Sequence, residues 1–214
     1  MPRQQDRIKE AVLSRFDDYL TEVQQRMGLV PINLIRTWTA AEITSVELAI
    51  RTAVAASQIV GMVIPNFVGT NQAKGNKAAD FFIATIPPHL PANNSIVAAR
   101  GAGYPDRLFV SGATRHCMEF KATSNWQDGD PNRRVLTSAP TKMIRLVNSR
   151  QVGVAPNHVP AHLICTVLYS EQQSSVQGVR LDFLEPDSEV NIRLEASTSQ
   201  RLLAMGTQQR FIYP

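Results

Sequence analysis

The sequence has little cysteine and no long apolar run, and each shortage removes a class of protein. Cys117 and Cys165 are the two cysteines, too few for a disulfide framework, and no CxxC pair is present for zinc or redox work. Both lie in apolar runs, where they are expected to pack as small buried hydrophobes. A membrane-spanning helix needs about 20 consecutive apolar residues; none occurs, so no membrane association is expected. The segment MPRQQDRIKEAVLSRF is polar and then amphipathic, without the apolar core of a secretory signal, and predicts a cytoplasmic protein. His158 and His162 stand four apart, but Pro160 argues against one helix face presenting both to zinc. GTNQAKGNKAAD contains glycines and lysines but not the glycine–lysine order of a phosphate-binding loop, and no nucleophile elbow is present.

Acid is missing locally. From Pro131 to Ser170 there is no Asp or Glu, while Arg133, Arg134, Lys142, Arg145 and Arg150 fall within that stretch. With a net charge of +4 this points to a polyanionic partner, against the plainer reading of a basic surface balanced by acids elsewhere.

What is present predicts one domain over residues 1–214, since a chain of this length, 43% hydrophobic, buries a sizeable core unaided. Residues 1–90 read as mainly helical. Ile8, Val12, Phe16, Leu20 and Val23 recur at helical spacing over 5–26, with Gly28 and Pro31 as the stop. Thr39 and Glu42 resemble a capping box ahead of an apolar helix reaching about Val60, buried in the core or in a subunit interface. A third helix is expected over 71–85. Residues 95–200 change character. Arg107–Gly112 and Arg115–Ala122 read as strands joined by a turn at Ser111–Gly112, and Thr141–Ser149 as a short helix. Leu163–Tyr169 reads as a central strand, and Gly178–Leu184 with Glu189–Glu195 as a hairpin across EPDS. The tail reads as a short helix and a final strand. The expected class is α/β with α+β character, a mixed central sheet flanked by helices.

The chemistry concentrates in GYPDRLFVSGATRHCMEFKATSNW, residues 103–126. Residues two apart on a strand share a face, so Glu119 and Lys121 point together while Met118 and Phe120 point the other way. In a hairpin, the start of the first strand lies beside the end of the second, which brings Asp106 to them. Carboxylate oxygens suit Mg2+, and a bound divalent ion activates water and offsets phosphate charge. The main-chain carbonyl of Phe120 is a further candidate ligand, and Lys121 is expected to act by electrostatics and positioning. The plainer reading makes Asp106 a turn cap and Glu119 and Lys121 a solvent-facing pair.

Pro105-Asp106 followed by Glu119-Phe120-Lys121 resembles the PD-(D/E)xK signature of type II restriction endonucleases. The resemblance implies a restriction-endonuclease-like core, Mg2+ held by Asp106 and Glu119, double-stranded DNA as substrate, and a homodimer cutting a short palindrome. It also implies an extra acid on a preceding helix, for which Asp80 is the candidate. Ser124, Asn125, Arg133, Arg134, Lys142, Arg145, Asn157 and His158 are the candidate DNA contacts, while Trp126 reads as a packing aromatic. Two rivals stand beside this: a structure-selective repair or recombination nuclease, and a DNA-binding protein without catalysis.

Overall fold

The computed structural model describes residues 13–99, 104–125, 135–137, 159–194, 200–204 and 208–212. Among these the chain runs β1 (Leu13–Arg15), α1 (Phe16–Arg26), α2 (Ala40–Ser57), α3 (Asn71–Thr85), a 3-10 turn (Pro87–His89), β2 (Asn94–Ala98), β3 (Arg107–Ser111) and β4 (Thr114–Thr123). Then come β5 (Val135–Thr137), β6 (His162–Ser170), β7 (Ser175–Leu184), β8 (Glu189–Leu194), β9 (Gln200–Ala204) and β10 (Gln208–Ile212). The class is α+β. A six-stranded sheet has the order β10-β7-β6-β4-β3-β2, antiparallel except where β4 and β6 run parallel, and a second sheet has the order β1-β8-β9-β5. No helix among the described residues is long and apolar enough to cross a membrane.

Local sequence explains the helices. Thr39 Oγ accepts the Glu42 N–H at 3.2 Å and the Glu42 carboxylate accepts the Thr39 N–H at 3.0 Å, a reciprocal cap that starts α2. Ile43, Val46, Ile50, Ala53 and Val54 then face the sheet, so the apolar content of α2 serves the core of this chain. Thr70 caps α3 through the Ala73 N–H at 3.3 Å. α1 starts at Phe16, later than periodicity suggested, because Leu13–Arg15 pair with β8. Ile8 and Val12 lie outside the described residues, as does the helix expected over 141–149.

Two further expectations are corrected. Residues 178–184 and 189–195 do not form a hairpin. Both edges of β7 are occupied, by β6 and β10, so after the Glu185–Ser188 turn the chain crosses to the second sheet. The Ser188 and Pro186 carbonyls accept the Phe16 and Asp17 N–H groups at 2.9 and 3.0 Å, tying that turn to the start of α1. Residues 200–204 form β9 between β8 and β5 rather than a short helix. Long-range pairing overrides local helix preference there.

The large sheet has two faces with different characters. Met118, Phe120, Leu163, Cys165, Val167, Leu181 and Phe183 pack beneath α2 and α3. On the other face Leu108, Cys117, Ile164 and Leu184 pack against Phe16, Tyr19, Leu20, Leu34, Ile35 and Tyr104. Both cysteines are buried and free.

His162 holds this second face together. Its Nε2 lies 2.7 Å from the Leu34 carbonyl, so that nitrogen carries the proton and donates; Nδ1 accepts from the Tyr104 hydroxyl at 2.6 Å. With Trp38 Nε1 donating to its carbonyl at 3.0 Å, His162 joins the loop before α2, β6 and the segment that leads to Asp106. Burial lowers its pKa from an ordinary 6.5 to about 4, outweighing the opposing effect of the Leu34 hydrogen bond. The unfolded chain therefore binds the extra proton between those values. Stability from this group is full above pH 6.5 and is lost towards pH 4, on the order of 3 kcal/mol. A His162→Gln variant, less stable at neutral pH, should lose less stability than the wild type between pH 7 and pH 4 in urea unfolding. Equal losses would refute the buried neutral imidazole.

Candidate active site

β3 and β4 pair antiparallel from Ser111↔Thr114 down to Arg107↔Met118, where β3 stops. Asp106 therefore stands opposite Glu119, one step past the end of the ladder. The two residues interlock there. The Asp106 N–H donates to Glu119 Oε2 at 3.2 Å, and Asp106 Oδ2 accepts the Phe120 N–H at 2.8 Å. Lys121 Nζ donates to Glu119 Oε1 at 2.5 Å. On a strand the N–H and C=O of one residue point to the same side. The Phe120 carbonyl is thus directed, like its N–H, towards the edge that β3 has vacated.

Glu119 is 6% exposed, so the reading of a solvent-facing pair does not survive; Lys121 is partly buried beside it. Burial is the main reason the Glu119 carboxyl is pushed up to about 7 from an ordinary 4.5. Lys121 works against the rise, the Asp106 carboxylate adds to it, and the hydrogen bond from the Asp106 N–H lowers it. The Lys121 ammonium offsets only part of the effect of burial. Burial likewise raises the Tyr104 hydroxyl, assisted by Cys117, Glu119 and Asp106. Among the described residues no third His, Cys, Asp or Glu joins Asp106 and Glu119. The donor set fits Mg2+ nevertheless, because that ion commonly takes one or two carboxylates and fills its remaining positions with water and phosphate oxygens.

Asp80 is not brought to this cluster. α3 covers the opposite face of the sheet through Ala78 and Phe82, the latter ring 5.9 Å from that of Phe120, and Asp80 is exposed on the outer side of the helix. Ser124 Oγ donates to Glu171 Oε1 at 2.9 Å, and Lys74 Nζ holds the other oxygen of Glu171 at 3.1 Å. Ser124 also lines a cleft of about 420 Å3 with Tyr169, Ser170, Glu171, Gln172 and Gln177, at the carboxyl ends of the parallel β4 and β6. Asn125 is exposed and its N–H donates to Thr123 Oγ at 3.0 Å. Trp126, Arg133, Arg134, Lys142, Arg145, Asn157 and His158 lie outside the described residues.

Sequence reading missed a second charged pair on the face that carries Glu119. Arg180 Nε donates to Asp182 Oδ2 at 2.7 Å, and both residues are 2% exposed. The register places them across β6 from the candidate site: Glu119↔Ile164↔Asp182 form one row and Lys121↔Thr166↔Arg180 the next. The alternation in VRLDFL signalled that Arg180 and Asp182 share a face, but not that the face is covered.

No family model, curated protein or solved structure matches the chain.

The raised Glu119 pKa makes stability depend on pH. A folded-state pKa above the ordinary one means that stability from this carboxyl is present below about 4.5 and is lost as pH rises through about 7. Glu119→Gln stays neutral and still accepts from the Asp106 N–H. In buffer with EDTA its thermal midpoint should exceed that of the wild type at pH 8.5, with the gap closing towards pH 5. A variant less stable than the wild type at pH 8.5 would overturn the charge-burial explanation.

Proposed function

We propose that this protein is a type II site-specific deoxyribonuclease with a restriction-endonuclease-like core, using Mg2+ to hydrolyse double-stranded DNA at a short palindromic site. The observation that carries the reading is the interlocked set Asp106, Glu119 and Lys121, standing where β3 ends and β4 continues. Asp106 and Glu119 are the metal ligands on this reading, with the Phe120 carbonyl beside them. Bound there, Mg2+ supplies a more acidic water and a counter-charge for the phosphate. Lys121 orients the water and offsets the charge that gathers on the phosphate oxygens. In the hydrolysis the water oxygen bonds to phosphorus and one phosphorus–oxygen ester bond breaks. The proton given up by the water balances the one that the departing sugar oxygen takes.

Symmetric cutting of a palindrome needs two copies, so a homodimer belongs to the reading. The acid-free stretch from Pro131 to Ser170 supplies positive charge for the DNA backbone. A cytoplasmic location goes with this substrate.

The test is digestion of long unmethylated DNAs of known sequence with Mg2+, beside EDTA and Asp106→Ala and Lys121→Ala controls. Discrete bands that vanish in all three controls are expected, with losses in the variants of about 100-fold or more. Smears that vanish likewise would keep the nuclease and remove site specificity. Selective cutting of branched or mismatched DNA would make it a structure-selective nuclease. DNA binding without cutting, unchanged in Asp106→Ala and Glu119→Ala and indifferent to metal, would leave a binding protein only.

A further inference from the structure

Among the described residues, the face that carries Glu119 holds a buried hydroxyl with nothing to bond. Thr166 is fully buried, and among the described residues its Oγ has no hydrogen-bond partner. Leaving a buried hydroxyl unsatisfied costs roughly 1–3 kcal/mol, so each such group calls for an explanation. It is also out of character with its strand. Between Leu163 and Leu168 every other residue is apolar, and a valine would fill the same volume without the penalty.

Its neighbours are informative. In the ladder Thr166 pairs with Lys121 on β4 and with Arg180 on β7, all three side chains on one face. Each cation turns back along its own strand to an acid two residues away: Lys121 to Glu119 at 2.5 Å and Arg180 to Asp182 at 2.7 Å. Ile164 lies between the two acids, and Thr166 lies between the two cations. Arg180 is fixed by a buried pair with its own acid. Lys121 is partly exposed, and its partner is the carboxylate that the proposed function assigns to the metal.

We propose that Thr166 is a positioning residue for Lys121: its hydroxyl accepts the lysine ammonium when a divalent cation occupies Glu119. The inference rests on the nuclease reading. Two cations sharing one carboxylate repel each other, so the ammonium must give way. On the side of Lys121 away from β3, the ladder offers Thr166 Oγ as an acceptor that no other described residue uses. Lys121 then stays beside the attacking water without competing for Glu119.

The test compares Thr166→Val, which keeps the shape and removes the hydroxyl, with Thr166→Ser, which restores it. In EDTA, Thr166→Val should unfold at the wild-type temperature or above, since an unsatisfied group has been removed. By calorimetry with Mg2+ alone its affinity should fall by about 10-fold, and kcat on duplex DNA by about 10- to 100-fold with KM for DNA unchanged. Thr166→Ser should recover most of both losses. Wild-type metal affinity and kcat in Thr166→Val would overturn the inference and leave the nuclease reading intact, as would a serine variant no better than valine. Should valine prevent folding, Thr166→Ala replaces it in the same comparison. A wild-type protein that neither binds Mg2+ nor cuts DNA overturns both.

Discussion

The site depends on where β3 stops pairing with β4. The ladder ends at Arg107↔Met118, and one residue further the strand is replaced by the Asp106 side chain, which takes the Phe120 N–H that a longer strand would have used. Had the ladder continued, the Phe120 N–H would pair with the Pro105 carbonyl, but Pro105 has no N–H to give the Phe120 carbonyl, which would stay open beside Glu119. The stop is fixed from outside the ladder. Tyr104, two residues before Asp106, is buried and bonded to His162, which is itself bonded to Leu34 and carries Trp38 on its carbonyl. Polar groups buried in this way are costly to leave unpaired, so the chain holds Tyr104 firmly in place. An aromatic hydroxyl deep in the core thereby sets the position of a carboxylate at the sheet edge.

The two faces of the sheet divide the work. Beneath α2 and α3 the middle of the face is apolar, from Met118 and Phe120 to Val179 and Phe183, and it supplies most of the burial that stabilises the fold. The other face begins with Cys117↔His162↔Leu184, where His162 is the single polar member, and two residues on gathers Glu119, Asp182, Lys121, Thr166 and Arg180. Of these Glu119, Thr166, Arg180 and Asp182 are buried. The Arg180–Asp182 pair, with both partners buried, contributes little net stability, although removing one partner is strongly destabilising. The polar rows are tolerated because the same strands are held from behind by a continuous apolar layer.

Features governed by neighbours in sequence were legible. The Thr39–Glu42 cap, the extent of α3, the β3–β4 hairpin and the buried β6 all follow from spacing and residue type, and so does the meeting of Asp106 with Glu119. Features governed by distant partners were not. Alternation in VNIRLE marks a strand but not its neighbour, and β8 pairs with β1 and β9 rather than with β7. His162 invited comparison with His158 four residues away, whereas its partners are Tyr104 and Leu34. Asp80 is a different case. Ala78 and Phe82 fix the inner side of α3, and a residue two past Ala78 falls nearly opposite on a 3.6-residue period, so its outward position was readable from helical phase. Thr166 passes as one hydroxyl within the apolar run of β6, and only the packed sheet shows that no described residue bonds to it.

On the proposed reading, the charges of the cluster fix an order of binding. With both carboxylates ionised, Asp106 and Glu119 exceed Lys121 by one negative charge. Burial makes that excess costly, as the raised Glu119 pKa reflects. A phosphodiester brought to this edge alone would meet repulsion as well. A divalent cation reverses the sign of the cluster, which relieves the buried carboxylate and makes the edge attractive to phosphate in one step. A further lysine would bring the cluster only to neutrality, leaving nothing to draw in an anion and no Lewis acid to activate water. The metal must therefore precede or accompany the DNA for the site to hold a phosphate. The acid-free stretch beyond Pro131 can draw DNA to the protein without metal. Binding and cutting should consequently differ in their dependence on divalent ions, because the charges that attract the duplex and those that attack it belong to separate parts of the chain.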